Sequence, residues 1–101
     1  MIIYNVTIQV NNTIADDWLT WLKEVHIPEV MESHCFTHYK IVRLLEIDDS
    51  EGPTYAVQYY AESKADYNRY IELYATAFRQ LGINKWGDNF VAFRSVLEVV
   101  H

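Results

Sequence analysis

The chain has 101 residues, with 14 acidic against 8 basic side chains and a formal net charge of −6. Half of its residues are hydrophobic and 15% are aromatic, which excludes a disordered chain. An acidic balance without a Lys/Arg cluster excludes a phosphate-neutralising nucleic-acid surface, and no stretch approaches the ~18–20 apolar residues that span a membrane. One domain over residues 1–101 is expected at this length.

The first nine residues after Met1 alternate, with Ile2, Tyr4, Val6, Ile8 and Val10 opposite Asn5, Thr7 and Gln9. That period of two predicts a strand. Asn12 or Thr13 offers an N-cap, and Asp16 and Asp17 follow in the first turn of a helix. Ile14, Trp18, Trp21, Leu22 and Val25 form its apolar stripe, and Pro28 predicts that it stops near His26. Cys35 to Ile47, rich in β-branched and aromatic residues, predicts a second strand. Asp48 to Pro53 is a turn, Thr54 to Glu62 a third strand, and the two strands make a hairpin. Ser63 and Asp66 have the spacing of a capping box. They open a second helix whose stripe is Tyr67, Tyr70, Ile71, Tyr74, Phe78 and Leu81, with Gly82 as its end. Phe90 to Val100 is the last strand.

The order β-α-β-β-α-β predicts a ferredoxin-like α+β fold, two helices on one face of a four-stranded antiparallel sheet. The first strand then turns Ile3, Asn5, Thr7 and Gln9 to the uncovered face. The third turns either Thr54, Ala56, Gln58 and Tyr60, or Tyr55, Val57 and Tyr59. On the fourth, Val91, Phe93, Leu97 and Val99 are expected under the helices, with Phe90, Ala92, Arg94, Val96 and Glu98 on the open side. A mixed open face of this kind predicts a two-fold homodimer, with a small-molecule pocket between the sheet and its partner. Thr7, Gln58, Tyr60, Trp86 and Glu98 are the candidate ligand contacts. The blander alternative is that Arg94 and Glu98 pair across the dimer.

Four segments carry a resemblance: Met1-Ile2-Ile3-Tyr4-Asn5-Val6-Thr7, Trp18 through His26-Ile27-Pro28-Glu29-Val30-Met31, Tyr55-Ala56-Val57-Gln58-Tyr59 and Phe90-Val91-Ala92-Phe93-Arg94. With them the chain resembles a bacterial family known as a domain of unknown function (DUF4286-like). The resemblance implies a dimeric α/β-barrel fold and no particular activity. The wider superfamily includes antibiotic-biosynthesis monooxygenases, haem-degrading enzymes, muconolactone isomerases and EthD-like proteins. Trp21 through His26-Ile27-Pro28 is similar to the Trp…His-x-Pro segment of the EthD-like members.

His26 is the first candidate for chemistry, as a general base or ligand-orienting group, against the alternative of a helix C-cap. With Asn5 and Arg94 it makes the candidate catalytic set for a cofactor-independent monooxygenase or isomerase, an expectation by analogy of fold. Haem-degrading relatives use an Asn, a Trp and a His around the porphyrin; Asn5 has its counterpart here, the other two do not, so no cofactor is expected. His34, Cys35 and His38 do not complete a four-ligand zinc set, and no metal is expected. Tyr67, Tyr70 and Tyr74 are expected in core and rim. A third possibility is a structural or regulatory dimer with no ligand. A single cysteine and an N-terminus without a basic region make the cytoplasm the expected compartment.

Overall fold

A computed structural model describes residues 1–101. The elements are β1 (Ile2–Val10), α1 (residues 15–31), β2 (His38–Arg43), β3 (Thr54–Ala61), α2 (residues 64–86) and β4 (Phe90–Glu98). The sheet order is β2-β3-β1-β4, with every neighbouring pair antiparallel. This is the ferredoxin-like α+β fold that the element order predicts.

Local chemistry explains most of the boundaries, and several differ from expectation. The Asn11 side chain accepts from both the backbone N–H and the hydroxyl of Thr13 at 2.9 Å, so it forms the turn before α1. Ile14, which has no capping oxygen, occupies the N-cap in place of Asn12 or Thr13. Ser63 does cap α2, accepting from the Asp66 N–H at 3.2 Å. β2 is shorter than expected, and His34 and Glu46, beyond its two ends, both take φ of 59°. The 48–53 turn lies against the end of β1, where a Cβ on Gly52 would overlap the Val10 carbonyl, so only glycine fits.

The helices differ from expectation in a more consequential way. Neither stops where Pro28 and Gly82 predict. Each carries one π turn, Leu22–His26 in α1 and Ile71–Ala75 in α2, and then continues. In α1 the Ile27 N–H reaches back five residues to Leu22, and Pro28 enters at the start of the following α-helical segment. α2 runs to Trp86 and closes on Gly87, which holds the left-handed φ of 62°. A π turn inserts one residue into the helical phase. Val25 and Leu81, expected on the buried stripes, are therefore exposed, and the next residues, His26 and Gly82, turn inward.

Under the helices the core is aromatic. Tyr4, Phe36, Tyr59 and Tyr70 pack with ring centroids 4.9–6.2 Å apart. Burial pushes the Tyr59 and Tyr70 hydroxyls up in pKa, so both stay protonated.

Strand register fixes the two sheet faces. Asn5 pairs with Gln58 and Ser95, and Thr7 with Ala56 and Phe93; Ile3 pairs with Tyr60 and Leu97. Directly opposed residues in antiparallel strands share a face. The open face therefore carries Ile3, Asn5 and Thr7 with Ala56, Gln58 and Tyr60, the first of the two alternatives for the third strand. The expected faces of β4 are reversed. Val6 pairs with Arg94 and Val10 with Phe90, which puts Phe90, Ala92, Arg94, Val96 and Glu98 on the helix side and Val91, Phe93, Ser95 and Leu97 on the open side.

Candidate functional site

A cleft lined mostly by apolar side chains lies between the sheet and the chain's own helices. Its cavity volume is about 70 Å³. Its floor is built by the helix-facing residues of β1, β3 and β4, among them Val6, Val57, Ala92 and Arg94. α1 contributes Trp18, Trp21, Leu22 and His26; α2 contributes Tyr70, Phe78, Arg79, Gly82 and Trp86. After its π turn, α2 presents Phe78, Arg79, Gly82 and Trp86 at the i, i+3/i+4 spacing of one helical face. Gly82 keeps the wall thin: a Cβ there would approach only Trp21, at 3.9 Å.

His26 is held by its neighbours' rings. Trp21 stacks on the imidazole with centroids 4.9 Å apart and an interplanar angle of 18°, and Phe78 meets it edge-on at 6.1 Å. Burial, with Arg94 adding a like charge, lowers its pKa to about 4, so the ring is neutral at pH 7. Its buried Nδ1 has no hydrogen-bond partner, and neither has the buried indole N–H of Trp86. His26 thus lies inside a continuous helix rather than capping its end.

Two guanidinium groups complete the lining. Arg79 Nη2 donates to the Tyr4 hydroxyl at 3.1 Å, and Arg94 reaches the same cleft from β4. Arg79 was not distinguishable in the sequence, because its inward orientation depends on the π turn upstream.

The remaining sequence candidates lie elsewhere. Asn5 is on the opposite face of the sheet from His26 and Arg94, so the three do not form one centre. Its Nδ2 donates to Thr7 Oγ1 at 3.0 Å, and its buried Oδ1 has no partner. Gln58 and Tyr60 share that face, where the Tyr60 hydroxyl donates to Gln58 at 3.4 Å and its ring stacks on His38 at 4.1 Å. Trp86 lines the cleft; Glu98 pairs with Ile2 at the far end of β4 and does not. Arg94 and Glu98, turned to the helix side, are not placed to pair across the open face. Nor do His34, Cys35 and His38 converge: the His34 carbonyl accepts from Arg69, Cys35 is buried beside Ser33, and His38 is on the open face.

The chain matches the family model described as Domain of unknown function (DUF4286) over residues 1–100, and it belongs to that family. No curated protein matches it. Among solved structures it is similar to a dimeric ferredoxin-like protein from an uncultured marine organism, with a TM-score of 0.74 at 12% identity over 99% of this chain and 95% of that one. An EthD-family protein from Bacillus halodurans gives 0.66 at 11% identity, covering 99% of this chain and all (100%) of that one. An antibiotic biosynthesis monooxygenase gives 0.67 at 11% identity, with both chains covered at 100%. At such identities the likeness establishes the fold alone.

Proposed function

We propose that this DUF4286 member binds a small, largely apolar ligand in the cleft between its sheet and its helices, and pairs through its open sheet face with a second copy. The observation that carries the ligand reading is the cleft itself. Apolar walls with a few unspent polar groups, here His26 Nδ1 and the Trp86 indole N–H, are the usual composition of a small-molecule site. Calorimetric titration with small aromatic compounds tests it, comparing wild type with Gly82→Leu, whose side chain projects into the cleft. Binding to wild type that is lost in the variant is expected. Binding that persists unchanged would place the ligand elsewhere.

The homodimer is supported by apolar exposure on the side away from the helices, where Val91 is 70% and Phe93 61% exposed. Large side chains left bare in a row on one sheet face mark an association surface, and a two-fold pairing of identical faces is the commonest closed solution. The ligand and the partner copy therefore occupy opposite faces of the sheet.

A second reading, cofactor-free oxygenation or isomerisation, is favoured by the imidazole and guanidinium that share the cleft. Its residues would be His26 and Arg94 without Asn5. Oxygen uptake in the presence of small hydroquinones, abolished by His26→Ala, would support it. No uptake with wild type would leave binding alone.

A further inference from the structure

The chain carries 14 acidic and 8 basic side chains, yet no carboxylate lines the cleft, and its charged residues there are Arg79 and Arg94. Both ion pairs of the chain, Arg43–Asp49 and Arg69–Asp66, lie outside it. Arg79 donates from one nitrogen to the Tyr4 hydroxyl, and Arg94 has no acidic partner. Both line the same cleft: Arg79 reaches Tyr4 of β1 from α2, and Arg94 stands on β4 opposite Val6, two residues along that strand from Tyr4. Arg94 also acts on the neutral His26 beside it.

Two solvent-exposed guanidiniums on the lining of one apolar cleft, neither paired with a carboxylate, favour an anionic ligand over a neutral one. The aromatic lining asks for something else. Trp21 and Trp86 meet edge to face at 5.8 Å, and with Phe78 and Phe90 they make the lining largely aromatic, which suits a ligand with an aromatic body. The Trp86 indole adds a neutral donor. One molecule satisfies both demands.

We infer that the ligand is a small aromatic monocarboxylate, its ring against Trp21 and Trp86 and its carboxylate held by Arg94 and Arg79. This rests on the cleft being the binding site. A guanidinium presents a planar fork that matches a carboxylate, which suits arginine here better than lysine.

Calorimetric titration with 2-naphthoate and with 2-naphthamide separates the two levels of the proposal, since the compounds share a ring system and differ in charge. Wild type is expected to bind the carboxylate about 10- to 100-fold more tightly than the amide. Arg94→Gln should lose most of that preference with amide affinity unchanged, and Arg94→Lys should recover part of it. Equal affinity for both compounds would overturn the carboxylate assignment while leaving the cleft as a binding site. So would a preference that survives in Arg94→Gln and Arg79→Gln alike. Absence of binding by either compound would overturn both. Arg79→Gln also removes the bond to Tyr4, so circular dichroism accompanies it; if it fails to fold, Arg94→Gln alone decides.

Discussion

At the scale of single residues, His26 has the most to explain. Its type and its place next to Pro28 are visible in the sequence, and both draw attention to it. Its environment is not: a histidine expected at a helix end, where protonation is favoured, is instead enclosed by Trp21 and Phe78 with Arg94 near. The consequence is a pH dependence of known sign. Between about pH 6.5 and pH 4 the unfolded chain holds a proton on this residue that the folded chain refuses, so the histidine destabilises the fold progressively as pH falls through that window. The ceiling of the effect is about 3 kcal/mol at pH 4, and above pH 6.5 it vanishes. Urea denaturation at pH 7 and pH 4.5 should show a smaller loss of stability in His26→Phe than in wild type. Identical losses would mean that the imidazole titrates normally.

The secondary elements show where sequence periodicity succeeds and where it breaks. All six elements are legible, because strand alternation and the Ser63–Asp66 capping pair are local signals. The inward faces of the helices beyond Leu22 and beyond Tyr70 are not. Each π turn advances the phase by one residue, and a 3.6-residue template has no means of registering that insertion. Val25 and Leu81 fit the template and are exposed; His26 and Gly82 miss it and line the cleft. Gly82 is the residue whose role changes most, from a helix terminator to a wall. Its backbone is ordinary helix, and a methyl group there meets only Trp21 at contact distance. Gly82→Ala should accordingly stabilise the protein, by about 0.5–1 kcal/mol from helix propensity, as read by the denaturation midpoint. A loss of stability would mean that the helix wall is closer to its neighbours than the structure shows.

For the whole molecule, the fourth strand decides what the protein can do. Phe90, Ala92 and Val96 are as apolar as Val91, Phe93 and Leu97, so hydrophobicity alone cannot choose between the two faces of β4. Arg94 and Glu98 bias the choice towards solvent, whereas Arg94 in fact enters the cleft from the helix side. Pairing with β1 resolves the matter, because Val6, on the helix side, is opposite Arg94. Arg94 thereby joins the cleft within one protomer, and the face carrying Val91, Phe93 and Leu97 is the one proposed for association. Phe93→Asp should convert the proposed homodimer to monomer in sedimentation velocity at micromolar concentration. Val96→Asp, on the other face of the same strand, should leave association intact. The reverse pattern would assign the association surface to the wrong side of the sheet.

The division of labour between the two faces is tested most directly by amide and indole chemical-shift mapping during titration with 2-naphthoate. Shifts concentrated at His26, Gly82 and the Trp21 and Trp86 indoles, with Phe93, Ser95 and Leu97 unmoved, are predicted. Shifts concentrated on Asn5, Gln58, Tyr60 and Phe93, with the indoles of Trp21 and Trp86 unmoved, would contradict it.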